Sequence, residues 1–115
     1  MSPVRMSKVE ASTRVVLAYK DAFNNHDVDA IVAMLSDDCV FEPVQDNLRV
    51  QGIEAIHAHL QEIFRGTEQA QIKVEAVFGV GLHVILQWQM DGQRGVDIFK
   101  FREGMICEKT SYVKR

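Results

Sequence analysis

At Arg65-Gly66 the hydrophobic period of this chain changes, and that switch narrows the fold to a small set. Ahead of it, apolar residues recur every three to four positions. Behind it they alternate in twos. Ser7, with Glu10 three residues on, forms a capping box that opens a first helix over about 8–24, carrying Val9, Val15, Val16, Tyr19, Ala22 and Phe23. Asn24-Asn25-His26 ends it, and Asp27 caps a short second helix whose Val28, Ile31, Val32 and Leu35 make one stripe. Ser36-Asp37-Asp38 reads as a turn, followed by a short strand, Cys39-Val40-Phe41-Glu42, that Pro43 ends. From Gly52 a third helix presents Ile53, Ile56, Leu60, Ile63 and Phe64 on one face. Beyond it Ile72, Val74, Ala76 and Phe78 alternate, as do Leu82, Val84, Leu86, Trp88 and Met90, with turns at Gly79 to Gly81 and Asp91-Gly92. Two further strands, about 94–102 and 105–113, join through Glu103-Gly104. Helices first and a meander after predict an α+β fold, a curved and mostly antiparallel sheet with helices on one side.

One domain accounts for 115 residues, and a chain of that length buries enough surface to stand without disulfides or a structural metal. Cys39 and Cys107 are therefore expected in the core. A net charge of −3 gives no footprint for a phosphate backbone, so nucleic acid is not an expected partner. Phosphate loops, dinucleotide fingerprints, CxxC pairs and HExxH are absent, which leaves acid/base chemistry or simple binding without a cofactor. No apolar run reaches the length of a membrane span and the first ten residues lack a signal-peptide core, so a cytoplasmic location and no membrane partner are expected.

Several segments together resemble one superfamily: 15–23 (VVLAYKDAF), 26–31 (HDVDAI), 35–38 (LSDD), 52–56 (GIEAI) and 97–106 (DIFKFREGMI). The chain is similar over nearly its whole length to nuclear transport factor 2-like proteins of the SnoaL-like and ketosteroid isomerase-like branch. That resemblance implies a cone-shaped, strongly bent sheet wrapped around helices, with an apolar pocket at its wide end. Such a fold carries isomerases, hydrolases, cyclases and noncatalytic binders, so the function must be argued from the site.

Tyr19 shares the buried face of the first helix with Val15, Ala22 and Phe23, where its hydroxyl needs a partner. It is either a core tyrosine bonded to backbone or, as the isomerase pattern implies, a donor to an oxyanion. Asp97 shares a strand face with Phe99 and Phe101, where burial would favour a protonated acid; the alternative is a carboxylate paired with Arg94 or Lys109. The isomerase pattern implies a protonated aspartate there as second oxyanion donor. In the same pattern an aspartate before proline is the general base. Here the dipeptide is Glu42-Pro43, and the segment is one residue shorter than the family's. Phe41, Trp88, Met90, Phe99 and Tyr112 are candidate pocket walls or plain core, with His57 at the mouth as a candidate proton shuttle. His57 and His59 lie ~200° apart on a helix and cannot chelate one metal. An epoxide hydrolase of the limonene type needs an aspartate that the last strand lacks.

Two readings therefore stand. In one, the chain is a cofactor-free acid/base enzyme acting on an apolar carbonyl compound, with Tyr19 and Asp97 holding the oxyanion and Glu42 moving the proton. In the other it is a noncatalytic protein that binds a small hydrophobic ligand or dimerises. A cavity of about 300 Å³ or more holding all three groups would favour the first. A symmetric homodimer through the outer sheet face is expected in either, with Val77, His83, Ile85 and Val96 on that face.

Overall fold

The computed structural model describes residues 7–66 and 71–114. Three helices, α1 (Lys8–Asn24), α2 (Val28–Val32) and α3 (Ile53–Gly66), pack on a curved six-stranded sheet. The strands are β1 (Leu35–Pro43), β2 (Val50–Gln51), β3 (Lys73–Val80), β4 (His83–Met90), β5 (Gln93–Arg102) and β6 (Met105–Lys114). Their spatial order is β2-β1-β6-β5-β4-β3. Every neighbouring pair is antiparallel except β1 and β6, which run parallel because all of α3 and the meander separate them in sequence.

The local signals act where the sequence puts them. Ser7 Oγ accepts from the Glu10 backbone N–H at 3.1 Å, and Asp27 Oδ1 accepts from that of Ala30 at 3.0 Å. His26 closes α1 at φ 53°, a left-handed residue that turns the chain directly into α2. Asp91-Gly92 and Glu103-Gly104 both have positive φ at the two turn positions, the geometry that matches the twist of a two-residue hairpin.

Three local expectations are corrected. Ser36-Asp37-Asp38 is not a turn but part of β1, which begins at Leu35 opposite Ile106; the register then slips before Val40, and Asp38 bonds Arg102 across the sheet at 2.5 Å. Residues 79 and 80 belong to β3, leaving Gly81-Leu82 as the turn and Leu82 exposed. Finally, a register shift between Val74 and Ala76 reverses the alternation of β3, so Val77 packs on the core while Phe78 and Val80 face out. An extra residue at a bulge moves every later side chain to the other face and bends the strand.

The core lies between the helices and the inner face of the sheet, with Val16, Tyr19, Ile31, Ile56 and Leu60 meeting Val84, Leu86, Phe99, Phe101 and Ile106. Cys39 and Cys107 are both free and buried, Cys39 within this core. At the far end of α1, Asn24 stitches the helix to the segment entering β3. Its Oδ1 accepts from Ile72 N at 2.7 Å and its Nδ2 donates to Ile72 O at 3.0 Å. That stitch fixes one wall of the cavity described next.

Candidate functional site

On the inner face of the sheet, three strands place a polar row inside an otherwise apolar surface. Asp97 on β5 lies opposite Ser111 on β6, and Lys109 on β6 is flanked by Phe99 on β5 and Phe41 on β1. Strand alternation dictates this: Lys109, Ser111 and Val113 share one face of β6, as Asp97, Phe99 and Phe101 share one face of β5. Above the row, α1 supplies Tyr19. A cavity of about 260 Å³ opens over these groups. Phe23, Phe41, Ile63, Ile72, Trp88 and Met90 make its apolar walls, while Tyr19, Asp97, Lys109, His59 and Asp46 bring polar atoms into it.

Asp97 is 5% exposed, and both contacts it makes treat it as an acceptor. The Trp88 indole N–H, which can only donate, reaches Oδ1 at 3.0 Å, and the Lys109 ammonium stands 4.0 Å from Oδ2. Of the alternatives open for Asp97, the geometry is that of a carboxylate paired with Lys109, not of an acid donating to a ligand.

Lys109 carries its charge against aromatic faces, 4.6 Å from the Phe41 ring centroid and 5.7 Å from that of Tyr19. Burial pushes its pKa down, but Tyr19, as a hydrogen-bond partner and by its charge once ionised at alkaline pH, and the Asp97 carboxylate together outweigh burial and hold it above the ordinary 10.5. It is therefore a cation at neutral pH. Tyr19 packs edge-on against Phe99 at 5.2 Å and is 1% exposed. The Lys109 ammonium lies close enough to donate a hydrogen bond to the hydroxyl oxygen, outside strict hydrogen-bond geometry, and among the described residues the Tyr19 O–H itself has no acceptor. Burial raises the Tyr19 pKa above 10.0, with Lys109 opposing, so the phenol stays neutral. The floor of the cavity thus holds a buried hydroxyl with donor capacity to spare beside a buried ammonium.

The structure brings Tyr19, Asp97, Phe41 and Trp88 together around this cavity and leaves four other candidates outside it. Glu42 is exposed. Its neighbour Phe41 points inward, so alternation sends Glu42 to the outer face beside Thr110, into a separate hollow with Val44, Asn47, Leu48 and Arg49. As placed, it cannot act as a base in the cavity. His57 faces Asp29 of α2 at 3.4 Å and does not line the cavity. Phe99 is fully buried behind Tyr19 and so supports the site without lining it. Tyr112 is 46% exposed on the outer face opposite Val96.

Two groups were not selected from the sequence. Lys109 was considered only as a partner for Asp97, although its place on the Ser111 and Val113 face already aims it inward. His59 was weighed only against a metal, yet it sits three residues after Ile56 and four before Ile63, on their shared side. Burial, with help from Lys109 and against Asp46, lowers the His59 pKa below 6.5, so its imidazole is neutral at pH 7. Among the described residues, no group of three His, Cys, Asp or Glu side chains could hold a metal ion, and no helix is long and apolar enough to cross a membrane.

A family model for the SnoaL-like domain matches residues 16–109. No curated protein matches the sequence. Among solved structures, a SnoaL-like protein of unknown function from Burkholderia thailandensis superposes with a TM-score of 0.87 at 17% identity, covering 96% of this chain and 100% of that one. A candidate ketosteroid isomerase from Kribbella flavida gives 0.79 at 19% identity over 96% and 83% of the two chains. A candidate SnoaL-like polyketide cyclase from Shewanella denitrificans gives 0.77 at 19% over 90% of each. At such identities these structures establish the fold. With the family model covering most of the sequence, from the middle of α1 to Lys109 itself, this chain belongs to the SnoaL-like domain family.

Proposed function

We propose that this protein binds a small apolar carbonyl compound in the cavity, with the ligand oxygen at the Tyr19 hydroxyl and the Lys109 ammonium, and that it promotes proton transfer next to that carbonyl. The observation that carries this reading is the buried Tyr19 hydroxyl, whose O–H has no acceptor among the described residues, beside a charged lysine at the floor of an apolar pocket. A buried donor left unsatisfied has a cost that a ligand oxygen would remove. An enolate oxygen forming there would meet a fixed cation and a neutral donor where water is excluded, and both would strengthen as charge develops. Asp97, anchored by Trp88, positions the ammonium. At about 260 Å³ the cavity lies just below the usual range of ligand pockets, which limits the ligand to a small compound of one or two rings.

A binding-only role is the second reading, favoured by two observations: Glu42, the base that the isomerase pattern implies, faces away from the cavity, and at about 260 Å³ the cavity is smaller than the ~300 Å³ expected of the enzyme. Both readings make the same first test. A phenol such as 2-naphthol mimics an enolate and should bind saturably, its anionic form most tightly. Tyr19→Phe and Lys109→Met should each weaken it at least tenfold, and Glu42→Gln should leave it unchanged. Absence of saturable binding to the wild type would refute ligand recognition at this site.

We also propose that the protein pairs with a second copy through the outer sheet face. Phe78, Val80 and Tyr112 are exposed there beside Ile85, Val96 and Ile98, an apolar surface larger than isolated exposed side chains would make. Val77, expected on this face, is replaced on it by Phe78 through the bulge in β3. Light scattering at micromolar concentration should give twice the 13.1 kDa chain mass. A monomer would refute the pairing.

A further inference from the structure

We infer that His59, on α3, is the group that takes the proton from the carbon next to the ligand carbonyl, in place of Glu42. The inference rests on the reading of the cavity as a carbonyl site. Three observations support it. First, the cavity is closed on one side by the inner sheet face and on another by α3, and His59 is the imidazole that α3 contributes to its lining. Lys109 lies near enough to His59 to act on its charge, so a ligand oxygen resting at Tyr19 and Lys109 on the floor would bring the neighbouring carbon into the space that His59 borders.

Second, the other titratable groups facing the cavity are unsuited to the step. Tyr19 from α1 is a neutral phenol, Lys109 from β6 is a cation, and Asp97 from β5 is engaged by Trp88 and Lys109. Asp46, from the short 3-10 turn Val44–Asp46, is exposed to solvent, so water competes with a ligand for its oxygens. Third, the charges are arranged for the product of the transfer. Before it, His59 is neutral with Lys109 disfavouring its protonation. As the C–H bond breaks, its electron pair moves into the new C=C bond and the carbonyl becomes an enolate oxygen beside Lys109. The proton resides on one ring nitrogen of His59. The enolate then offsets the Lys109 charge, and Asp46 stabilises the imidazolium from the mouth. Return of the proton to carbon restores both partners, so no cofactor or oxidant enters the balance.

The experiment is deuterium exchange into 2-tetralone in D2O, followed by proton NMR, with 2-naphthol binding measured on the same samples. Wild-type protein should accelerate exchange above buffer, with a rate that falls as pH drops through an apparent pKa below 6.5. His59→Gln should lose that acceleration by about 100-fold or more, with 2-naphthol affinity held within about twofold, and added imidazole should restore part of the rate. Tyr19→Phe should weaken exchange and binding together. Retention of the wild-type rate in His59→Gln, or a comparable loss in Asp46→Asn with His59 intact, would overturn the assignment while leaving the carbonyl site standing. Naphthol binding without exchange in the wild type would overturn it as well, in favour of the binding-only role. Neither binding nor exchange would defeat the carbonyl site itself.

Discussion

Replacing Lys109 by Met keeps most of the side-chain volume and removes one charge, which isolates the electrostatic part of the site. The Nζ to Oδ2 distance is 4.0 Å, and the two side chains are 15% and 7% exposed. Two unit charges at that separation attract by ~4 kcal/mol at an effective dielectric of about 20. The substitution relieves Lys109 of its own desolvation but leaves Asp97 buried with the Trp88 N–H alone. Removing one partner of a buried pair costs about 3–5 kcal/mol. For a chain of this size that corresponds to a fall in Tm of roughly 12–20 °C. Trp88, the sole tryptophan, touches Asp97 and so reports on the site directly by fluorescence in a urea titration at pH 7. Asp97→Asn keeps an acceptor for the indole, strands the ammonium, and is expected to cost a similar amount. The double variant should cost less than the sum by ~2 kcal/mol or more. A single loss below about 1 kcal/mol, or additivity within about 0.5 kcal/mol, would refute the claim that Asp97 holds Lys109 in the cavity.

Stability should also fall at alkaline pH. The folded-state pKa values of Tyr19 and Lys109 lie above 10.0 and 10.5, so between each ordinary value and its raised one the unfolded chain holds fewer protons than the native one. Their contribution is complete below about pH 10 and is lost as pH rises through the raised values; an unfolding midpoint flat between pH 8 and 12 would contradict this. Asn24→Ala removes both side-chain bonds to Ile72, and is expected to cost about 1–3 kcal/mol and raise hydrogen exchange at Ile72. Unchanged exchange there would show that the stitch does not close the cavity wall. A Cβ on Gly95 would collide with the Trp88 ring and lie 2.6 Å from the Tyr112 carbonyl, so Gly95→Ala should displace the indole, shift its fluorescence and cost at least ~2 kcal/mol. Wild-type stability in that variant would mean that Trp88 is not seated on β5 as described.

The candidate site was only partly legible in the sequence. Tyr19 and Asp97 could be placed because each sits in a regular pattern, one on a helix stripe and one on an alternating strand, and those patterns fix which way a side chain points. Glu42 sits at the end of β1 next to a proline, and there the family pattern and strand alternation disagree by one residue. Alternation prevailed because Phe41 has far more to gain from burial than a carboxylate does. Lys109 was legible as to face but not as to role. Whether a lysine on an inner face is tolerated depends on what two neighbouring strands set beside it, here Asp97, Phe41 and Tyr19.

Local chemistry was enough to determine the elements. The caps at Ser7 and Asp27, the stripes of α1 and α3 and the Asp91-Gly92 and Glu103-Gly104 hairpins are short-range effects, complete within a few residues, and each occurs where the sequence puts it, whereas Leu35, read with the α2 stripe, opens β1 instead. Tertiary structure decided what short-range effects cannot encode. The parallel pairing of β1 with β6, the two-residue strand β2, the bulge that turns Val77 in and Phe78 out, and the extension of β1 through Ser36-Asp37-Asp38 all depend on partners far along the chain. The meeting of Tyr19, His59, Asp97 and Lys109 in one cavity is of the same kind. Four elements contribute one group each, and only closure of the sheet over α1 and α3 brings them together.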